Sequence, residues 1–368
     1  MANEQVPNDQ ALNGGAPNDR PARGQPAKER APGPILAVED LTKHFRSGER
    51  GRPIRALDGV TFSVARGETF GLVGESGSGK STCARTIVRL YEPTAGRVWL
   101  DGTDITKLNQ RQLRPLRRKM QMVFQDPYAS LNGRMSVRDL VAEPLTVHCP
   151  ELSRAQVTQR VRELLEQVGL GQEHMLRYAH EFSGGQRQRI GIARALAIRP
   201  ELVLCDEPIS ALDVSIQAQI ANLLSDLQRE MGLAYVFIAH DLSMVRHIAD
   251  RVGVMYLGQL VEKGPTARVY GEPLHPYTQG LLASIPTPDP TVDLTARPPA
   301  IEGEIPSPIN PPSGCRFRTR CPFASEVCAQ VMPQSVDLGG GHEVACHLYD
   351  EGRPRDAASP ETATKLPE

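Results

Sequence analysis

The sequence predicts an α/β fold with a helical insertion and a C-terminal extension, and three observations lead to this prediction. Strand-like and helix-like runs alternate over residues 35 to about 270, as an α/β fold requires. Residues 126 to about 180 contain helical runs such as 157–168 and no convincing strand, which indicates a helical subdomain inserted into the core. After Pro265 the chain becomes proline-rich and carries four cysteines, which indicates a distinct extension.

These patterns divide the chain into four segments. Residues 1–33 are rich in Pro, Gly, Ala, Asn and charged groups and predict a disordered leader. Residues 34–270 form the α/β domain, in which the helical subdomain covers about 126–185. Residues 271–350 form the extension, and residues 351–368 predict a second disordered tail.

Composition excludes several functional classes. The chain has 368 residues, of which 40% are hydrophobic and 23% are charged, so it can bury a sizeable core. A formal charge of −1 gives no reason to expect nucleic-acid binding through a bulk electrostatic field. The polar N-terminus has no apolar signal core, and no apolar run approaches the roughly 20 residues of a membrane-spanning helix. We therefore expect no export and no membrane span, and any membrane role must come from a partner.

A phosphate-binding motif is the strongest functional signal. Residues 74–82 read G-E-S-G-S-G-K-S-T and match the pattern G-x-x-x-x-G-K-[ST]. A strand-like run, 69–73, precedes the motif and a helix-like run, 83–90, follows it, which favours phosphate binding over a simple glycine turn. Glycines let backbone N–H groups surround a polyphosphate, and the helix start adds its positive dipole end. The predicted contacts are Gly74, Ser76, Gly77, Ser78, Gly79, Lys80, Ser81 and Thr82, with Lys80 on the β- and γ-phosphates and Ser81 on Mg²⁺.

A second phosphate-related signal is the apolar run 202–208, which ends in Asp206 and Glu207. Such a run predicts a buried strand that delivers acids to the sheet edge where α/β folds bind ligands. We expect Asp206 to hold Mg²⁺, directly or through water, and Glu207 to polarise the attacking water. An acidic pair at a strand end is often a loop start or helix cap, but the upstream phosphate loop favours the catalytic interpretation.

A third signal is the run Ser183-Gly184-Gly185-Gln186, which precedes a helical stretch, 190–198. Ser183 suits a helix N-cap, and a helix start with an exposed serine and two glycines is also a second anion site. At this point the sequence resembles the ATP-binding subunits of ABC transporters, which carry this Ser-Gly-Gly-Gln signature. The resemblance implies the ABC ATPase core of the P-loop NTPase fold. It also implies that the signature of one subunit closes over the ATP of its partner, giving a dimer with two composite sites.

Further elements of that family follow in the expected order over residues 36–260. The resemblance implies that Gln125 contacts Mg²⁺ and the attacking water, and that His240 is a switch near the γ-phosphate. It implies that Asp213 lies in the loop through which the two subunits sense each other. Phe45 takes the position of the aromatic that stacks on adenine, with a core role as the alternative. Glu207, His240 and Gln125 are thus the expected catalytic residues.

Two segments outside these motifs look like the oligopeptide and dipeptide importer branch, which includes nickel importers. They are 124–132, F-Q-D-P-Y-A-S-L-N, and 274–282, L-H-P-Y-T-Q-G-L-L. The continuation 303–308 strengthens the match, particularly to the second ATPase subunit of that branch. The resemblance implies a peripheral protein on the cytoplasmic face of the cell inner membrane. Implied partners are a paralogous ATPase or a second copy, two permease subunits docked on the helical subdomain, and an extracytoplasmic solute-binding protein.

Two alternatives remain open at this level. In the first alternative, the transporter imports nickel or another solute instead of a peptide. In the second, the chain is a soluble ABC ATPase of DNA repair or translation, although such proteins usually carry paired cassettes or long coiled-coil insertions. This chain has one cassette and neither feature.

Four cysteines of the extension have the spacing C-x5-C-x6-C-x17-C, and they are Cys315, Cys321, Cys328 and Cys346. No close C-x2-C pair typical of structural zinc is present, and the Cys-Pro step at Cys321 suits iron–sulfur ligation. The related branch carries this region, and a [4Fe–4S] cluster is the favoured candidate; zinc, and plain thiols or a disulfide, are alternatives. His342 and His347 are candidate substitute ligands. The other cysteines, Cys83, Cys149 and Cys205, are expected only to pack or lie free.

Overall fold

The computed structural model describes residues 33–47, 52–210, 212–285 and 301–350. The predicted leader, apart from Gly33, and the predicted tail lie outside the described residues. In chain order the strands are β1 (Leu36–Phe45), β2 (Ile54–Val64), β3 (Thr69–Val73), β4 (Ala95–Leu100), β5 (Thr103–Asp104), β6 (Met120–Val123), β7 (Leu202–Asp206), β8 (Ala234–Ile238), β9 (Arg251–Tyr256), β10 (Gln259–Pro265), β11 (Val336–Asp337) and β12 (Glu343–Val344). The helices are α1 (Lys80–Ile87), α2 (Gln110–Leu116), α3 (Pro127–Ser130), α4 (Val137–His148), α5 (Arg154–Gln167), α6 (Gly184–Leu196), α7 (Val214–Met231), α8 (Leu242–Ile248), α9 (Thr266–Gly271), α10 (Pro276–Ala283) and α11 (Glu326–Gln330).

The strands form two sheets. The larger has the order β11-β12-β10-β9-β3-β8-β7-β6, and the smaller has the order β2-β1-β4-β5. Strands β9, β3, β8, β7 and β6 run parallel to one another, whereas β10, β12 and β11 extend the sheet in antiparallel fashion. Strands β3, β7 and β8 are buried at every position, which explains their continuous apolar sequences. The predicted α/β fold is confirmed.

The smaller sheet packs on one face of the larger sheet. Phe62 of β2 stacks on Phe70 of β3, with ring centroids 4.6 Å apart. Buried side chains from β1, β2 and β4 join this contact and form one hydrophobic cluster with β3, β7 and β8. This layer holds β1, which carries Phe45, beside the strand that leads into the phosphate loop.

The chain between β6 and β7 is helical, as the sequence predicts. Helices α3 to α6 lie in this segment, and the described residues 124–201 contain no strand of either sheet. Ser136 and Ser153 are the N-caps of α4 and α5, and their hydroxyls accept hydrogen bonds from the backbone N–H groups of Asp139 and Gln156. Apolar side chains on one face of each helix are fully buried, among them Val141 and Val161.

The C-terminal residues join the larger sheet. Strand β12 pairs with β10, so that Glu262 lies opposite Val344 and Lys263 lies opposite Glu343. Phe317 is buried against two tyrosines, with ring centroids 5.3 Å from Tyr256 and 5.4 Å from Tyr277. The sequence patterns do not predict this strand addition. In the described part of the chain no helix has both the length and the apolar character needed to span a membrane.

Candidate functional site

The predicted phosphate loop lies between β3 and α1. Gly74 and Gly79 have φ angles of 148° and 106°, and α1 begins at Lys80 directly after Gly79. A Cβ atom on Gly74 would lie 2.2 Å from the Met255 carbonyl oxygen, and one on Gly79 would lie 2.4 Å from that of Ala56. Only glycine combines these φ values with such close backbone contacts. The loop conformation therefore depends on both residues.

Lys80 is buried within this loop. Its Nζ atom donates hydrogen bonds to the carbonyl oxygens of Gly74, at 2.7 Å, and Glu75, at 3.0 Å. Burial lowers the pKa of Lys80, while the carboxylates of Glu207, Asp206 and Glu75 oppose that change. The Lys80 ammonium group thus lies among carbonyl oxygens of the loop and near three carboxylates.

Asp206 ends β7 with its carboxylate fully buried. One oxygen accepts a hydrogen bond from Arg85 Nη2 at 3.3 Å, and the other, Oδ1, has no hydrogen-bond partner among the described residues. Buried carboxylate oxygens are rarely left unpaired, and a divalent cation satisfies such an atom well. This unpaired oxygen fits the Mg²⁺ that the sequence predicts. Sequence reasoning missed Arg85, although it lies one helical turn after Ser81 on the same face of α1.

The three predicted catalytic side chains meet at the carboxyl ends of adjacent parallel strands. Gln125 follows β6, Glu207 follows β7 and His240 follows β8. Gln125 Nε2 donates a hydrogen bond of 2.8 Å to Glu207 Oε2, and His240 Nδ1 lies 3.8 Å from the same oxygen. The φ angle of Glu207 is 46°, an unusual value for a residue other than glycine, and its N–H donates to the Ile238 carbonyl.

The Ser-Gly-Gly-Gln run forms the start of α6. The Ser183 hydroxyl accepts a hydrogen bond from the Gln186 N–H, and the Gln186 side chain accepts one from the Ser183 N–H. A Cβ atom on Gly185 would lie 2.6 Å from Ile216 Cγ2, and one on Gly184 would lie 3.2 Å from Leu212 Cδ2. The two glycines thus permit close packing against the start of α7.

Two other predicted nucleotide or interface residues lie at element ends. Asp213 is exposed at the N-cap position of α7, where the next residue, Val214, is 81% exposed. Phe45 ends β1 and packs edge-on against Tyr91, with ring centroids 5.3 Å apart. The Lys43 ammonium lies 4.9 Å from the centroid of the Phe45 ring.

The side chains of Cys315, Cys321, Cys328 and Cys346 line one small cavity of about 10 Å³. Burial raises the pKa of the Cys321 and Cys346 thiols to about 12. As placed, no three His, Cys, Asp or Glu side chains in the described ranges form a metal-binding group. His347 also lines the cavity, whereas His342 Nε2 lies 2.7 Å from Glu262 Oε1. Cys83, Cys149 and Cys205 are buried elsewhere as free thiols, as the sequence predicts.

A cleft of about 680 Å³ opens beside the predicted catalytic residues. Its walls come from α1, β6, α4 and α6, and they include Arg85, Met122, Pro144 and Arg194. Gln125 lies in the same cleft and also contacts Glu207, so the cleft reaches the three predicted catalytic side chains.

Comparison with known families gives two matches along the chain. Residues 57–210 match a family described as ABC transporter. Residues 261–328 match a family described as oligopeptide/dipeptide transporter, C-terminal region. The first range contains the phosphate loop, Gln125, the signature and the Asp206–Glu207 pair, and the second contains the start of the cysteine region.

Named relatives extend the similarity over most of the chain. The putative oligopeptide transport ATP-binding protein YkfD of Bacillus subtilis is 54% identical over 323 residues, which are 88% of this chain and 98% of YkfD. The oligopeptide transport ATP-binding protein OppF of Salmonella typhimurium is 52% identical, covering 86% of this chain and 96% of OppF. A solved dimer of the ATP-binding cassette MJ0796 with ADP and Pi is 31% identical, with a TM-score of 0.58, and covers 63% of this chain and 99% of that one. The chain therefore belongs to the ABC transporter family of ATPases, in the oligopeptide transport ATP-binding branch.

Proposed function

We propose that this chain hydrolyses ATP to energise the import of oligopeptides or dipeptides through an ABC transporter. The observation that carries the catalytic part is the convergence of Gln125, Glu207 and His240 beside the unpaired Asp206 oxygen. The class of transported solute is inferred from the names of the relatives, because YkfD and OppF are both called oligopeptide transport ATP-binding proteins. Those names favour peptide over nickel, and transport over DNA repair or translation.

In this proposal each residue of the site has a distinct role. Residues 74–82 surround the polyphosphate and Lys80 contacts its β- and γ-phosphates, while Phe45 stacks on adenine. Ser81, Gln125 and Asp206 would hold Mg²⁺, which supplies positive charge to the phosphates when it is bound. Glu207 orients the attacking water and takes its proton, and the hydrogen bond from Gln125 fixes the Glu207 carboxylate. His240 maintains this geometry near the γ-phosphate.

The ATP sites are completed by a second subunit in this proposal. The N-cap and N–H groups at the start of α6 suit an anion, and the solved MJ0796 cassette with ADP and Pi is a dimer. We propose that Ser183, Gly184, Gly185 and Gln186 of one subunit contact the nucleotide of the other. Exposed Asp213 contacts the partner at the same interface. The partner is a paralogous ATPase or a second copy of this chain.

We propose that the membrane partners dock at the cleft between α1, β6, α4 and α6. The cleft combines apolar side chains such as Met122 with charged ones such as Arg194, and it contains Gln125. A permease docked there would contact Gln125, which donates a hydrogen bond to Glu207. In this assembly the chain lies on the cytoplasmic face of the inner membrane, and two permease subunits and an extracytoplasmic solute-binding protein complete it. We assign residues 34–270 to the ATPase domain, with its helical subdomain at about 126–185, and residues 271–350 to the extension.

We further propose that the extension holds a [4Fe–4S] cluster on Cys315, Cys321, Cys328 and Cys346. Four thiols around one small cavity are the donor set that such a cluster requires. Metal binding would deprotonate thiols whose pKa is otherwise raised by burial, and would draw the sulfur atoms into ligating positions. Zinc and unligated cysteines are the alternative outcomes of metal analysis.

The proposed transport function is tested by reconstitution. The full chain is coexpressed with the permease subunits and paralogous ATPase of an oligopeptide transporter, and the complex is placed in vesicles with ATP on the side of the ATPases. We expect the chain to co-purify with the membrane subunits and to drive uptake of labelled peptide in the presence of the solute-binding protein. Labelled Ni²⁺ measured in parallel distinguishes the nickel alternative. Failure to associate with membrane subunits would contradict the proposal.

A further inference from the structure

The phosphate loop is bound at Glu75 by residues from the C-terminal part of the chain. Arg320 forms two parallel hydrogen bonds with the Glu75 carboxylate, Nη1 to Oε2 at 2.7 Å and Nη2 to Oε1 at 3.0 Å. The Tyr277 hydroxyl accepts a hydrogen bond of 2.9 Å from the backbone N–H of Glu75. Both the side chain and the backbone of one loop residue are therefore fixed from outside the phosphate motif.

Both anchors are rigidly placed. The Arg320 side chain is 5% exposed, its Nε donates to the Glu302 carbonyl, and its guanidinium lies 5.8 Å from the centroid of the Tyr256 ring. Tyr277 is fully buried, and its ring centroid lies 4.7 Å from that of Tyr256. Two parallel hydrogen bonds between a planar guanidinium group and a planar carboxylate fix both the distance and the relative orientation of the two side chains. The loop residue therefore has little freedom relative to the extension.

A second arginine of the same segment makes a similar connection. Arg316 is 4% exposed and donates hydrogen bonds to the Leu257 carbonyl and to the Asp58 carboxylate of β2. Arg316 and Arg320 both lie between Cys315 and Cys321. The cysteine-containing segment is thus joined to the nucleotide side of the fold at two separate points.

The charge of Glu75 makes the Arg320 contact important for ATP. The Glu75 carbonyl accepts a hydrogen bond from Lys80, so its carboxylate belongs to the loop that surrounds the polyphosphate. An unpaired carboxylate there would repel the phosphates and compete for Lys80. Arg320 neutralises this charge and holds the carboxylate toward the extension. We propose that Arg320 is a positioning residue that sets ATP affinity through Glu75, an inference that rests on the proposed ATP-binding function.

The proposal is tested with the full chain and four variants. Arg320→Gln, Glu75→Gln and the double variant form a cycle, and Arg318→Gln is the control, because Arg318 lies in the same segment and bonds Ser313 instead. ATP affinity is measured by equilibrium dialysis, and KM and kcat by phosphate release. We expect Arg320→Gln to raise Kd and KM for ATP about tenfold while kcat changes less than about threefold. The double variant should bind ATP with the same affinity as Glu75→Gln, because the substitution of Arg320 has no further effect once the carboxylate is removed.

The outcomes separate this inference from the proposed function. A wild-type chain that does not bind ATP would contradict the proposed function itself. With wild-type binding intact, unchanged ATP affinity in Arg320→Gln would overturn the inference. Weaker ATP binding in the double variant than in Glu75→Gln would also overturn it, because Arg320 would then act through the fold and not through Glu75. If Arg320→Gln does not fold, Arg320→Met, which removes the charge and keeps an unbranched side chain, replaces it, and ATP affinity equal to wild type would again refute the positioning role.

Discussion

Replacement of Asp206 by asparagine should change the stabilisation of the protein by Mg²⁺ and ATP without unfolding the unliganded protein. Asparagine preserves the size of the side chain and removes the charge of a fully buried carboxylate. We expect Asp206→Asn to leave the unliganded protein folded and to abolish the part of ATP-induced stabilisation that requires Mg²⁺. The reason is that Asp206 Oδ1 has no hydrogen-bond partner among the described residues and stands ready for a cation.

The magnitude follows from two opposing contributions in the unliganded state. The contact with Arg85, whose side chain is 34% exposed, stabilises the wild type by about 0–1 kcal/mol. Leaving a buried carboxylate oxygen unpaired costs about 1–3 kcal/mol, and asparagine lowers this cost because an uncharged amide is less costly to bury than a carboxylate. The net change is therefore small, within about 2 kcal/mol, and the Tm of the variant should lie within roughly 5 °C of wild type.

Mg²⁺ and ATP together have a larger effect on the wild type. A ligand at 100 times its Kd stabilises the folded state by about 2.7 kcal/mol, which for a chain of this size corresponds to a rise in Tm of about 3–5 °C. Thermal unfolding is measured with ATP plus EDTA and with ATP plus Mg²⁺. Asp206→Asn should show equal shifts in the two conditions, whereas wild type should show a further rise with Mg²⁺. Asp226→Asn is the control, since Asp226 is exposed on α7 and pairs only locally with Arg229. A normal Mg²⁺-dependent rise in Asp206→Asn would refute Asp206 as the metal ligand.

Three further predictions concern separate parts of the site. Glu207→Gln should retain ATP and form a tight ATP-dependent dimer while hydrolysis falls at least about 100-fold, because only water activation is lost; near-normal phosphate release would contradict this role. Ser183→Arg should impair closure of the partner's ATP site and preserve photolabelling at the variant's own phosphate loop, and loss of that labelling would contradict the dimer arrangement. Anaerobically purified protein should be brown, with iron and sulfide in roughly equal amounts, and Cys321→Ser should remove most of the colour while Cys149→Ser retains it. One zinc and no iron would instead indicate a structural zinc site.

The parallel part of the fold could be predicted because its signals are local. Strands β3, β7 and β8 are buried on both faces, so each reads as an unbroken apolar run. The start of α1 was harder to predict, since Lys80, Ser81 and Thr82 show no apolar period and the helix begins after a glycine with positive φ. The sequence therefore predicts this helix from residue 83, three residues too late.

The order of the motifs predicted which catalytic residues would meet, although their roles stay predictions. Gln125, Glu207 and His240 each follow a strand of one parallel sheet, and the carboxyl ends of such strands share an edge. The contact between Glu75 and Arg320 could not be predicted in this way. These residues are 245 positions apart, and no local periodicity indicates which loop a buried arginine will reach.

Strand β12 is short, yet it determines how the chain can be cut for experiments. It covers β10 at Glu262 and Lys263, and the Ala345 N–H donates to the Val261 carbonyl. A protein truncated before residue 336 would present β10 as an open sheet edge, which is a template for pairing between molecules. The truncation would also remove His342, and the buried Glu262 carboxylate would lose its contact with the His342 ring. An ATPase fragment without these residues should therefore aggregate, and the cause would be an uncovered strand and not a defect in nucleotide binding.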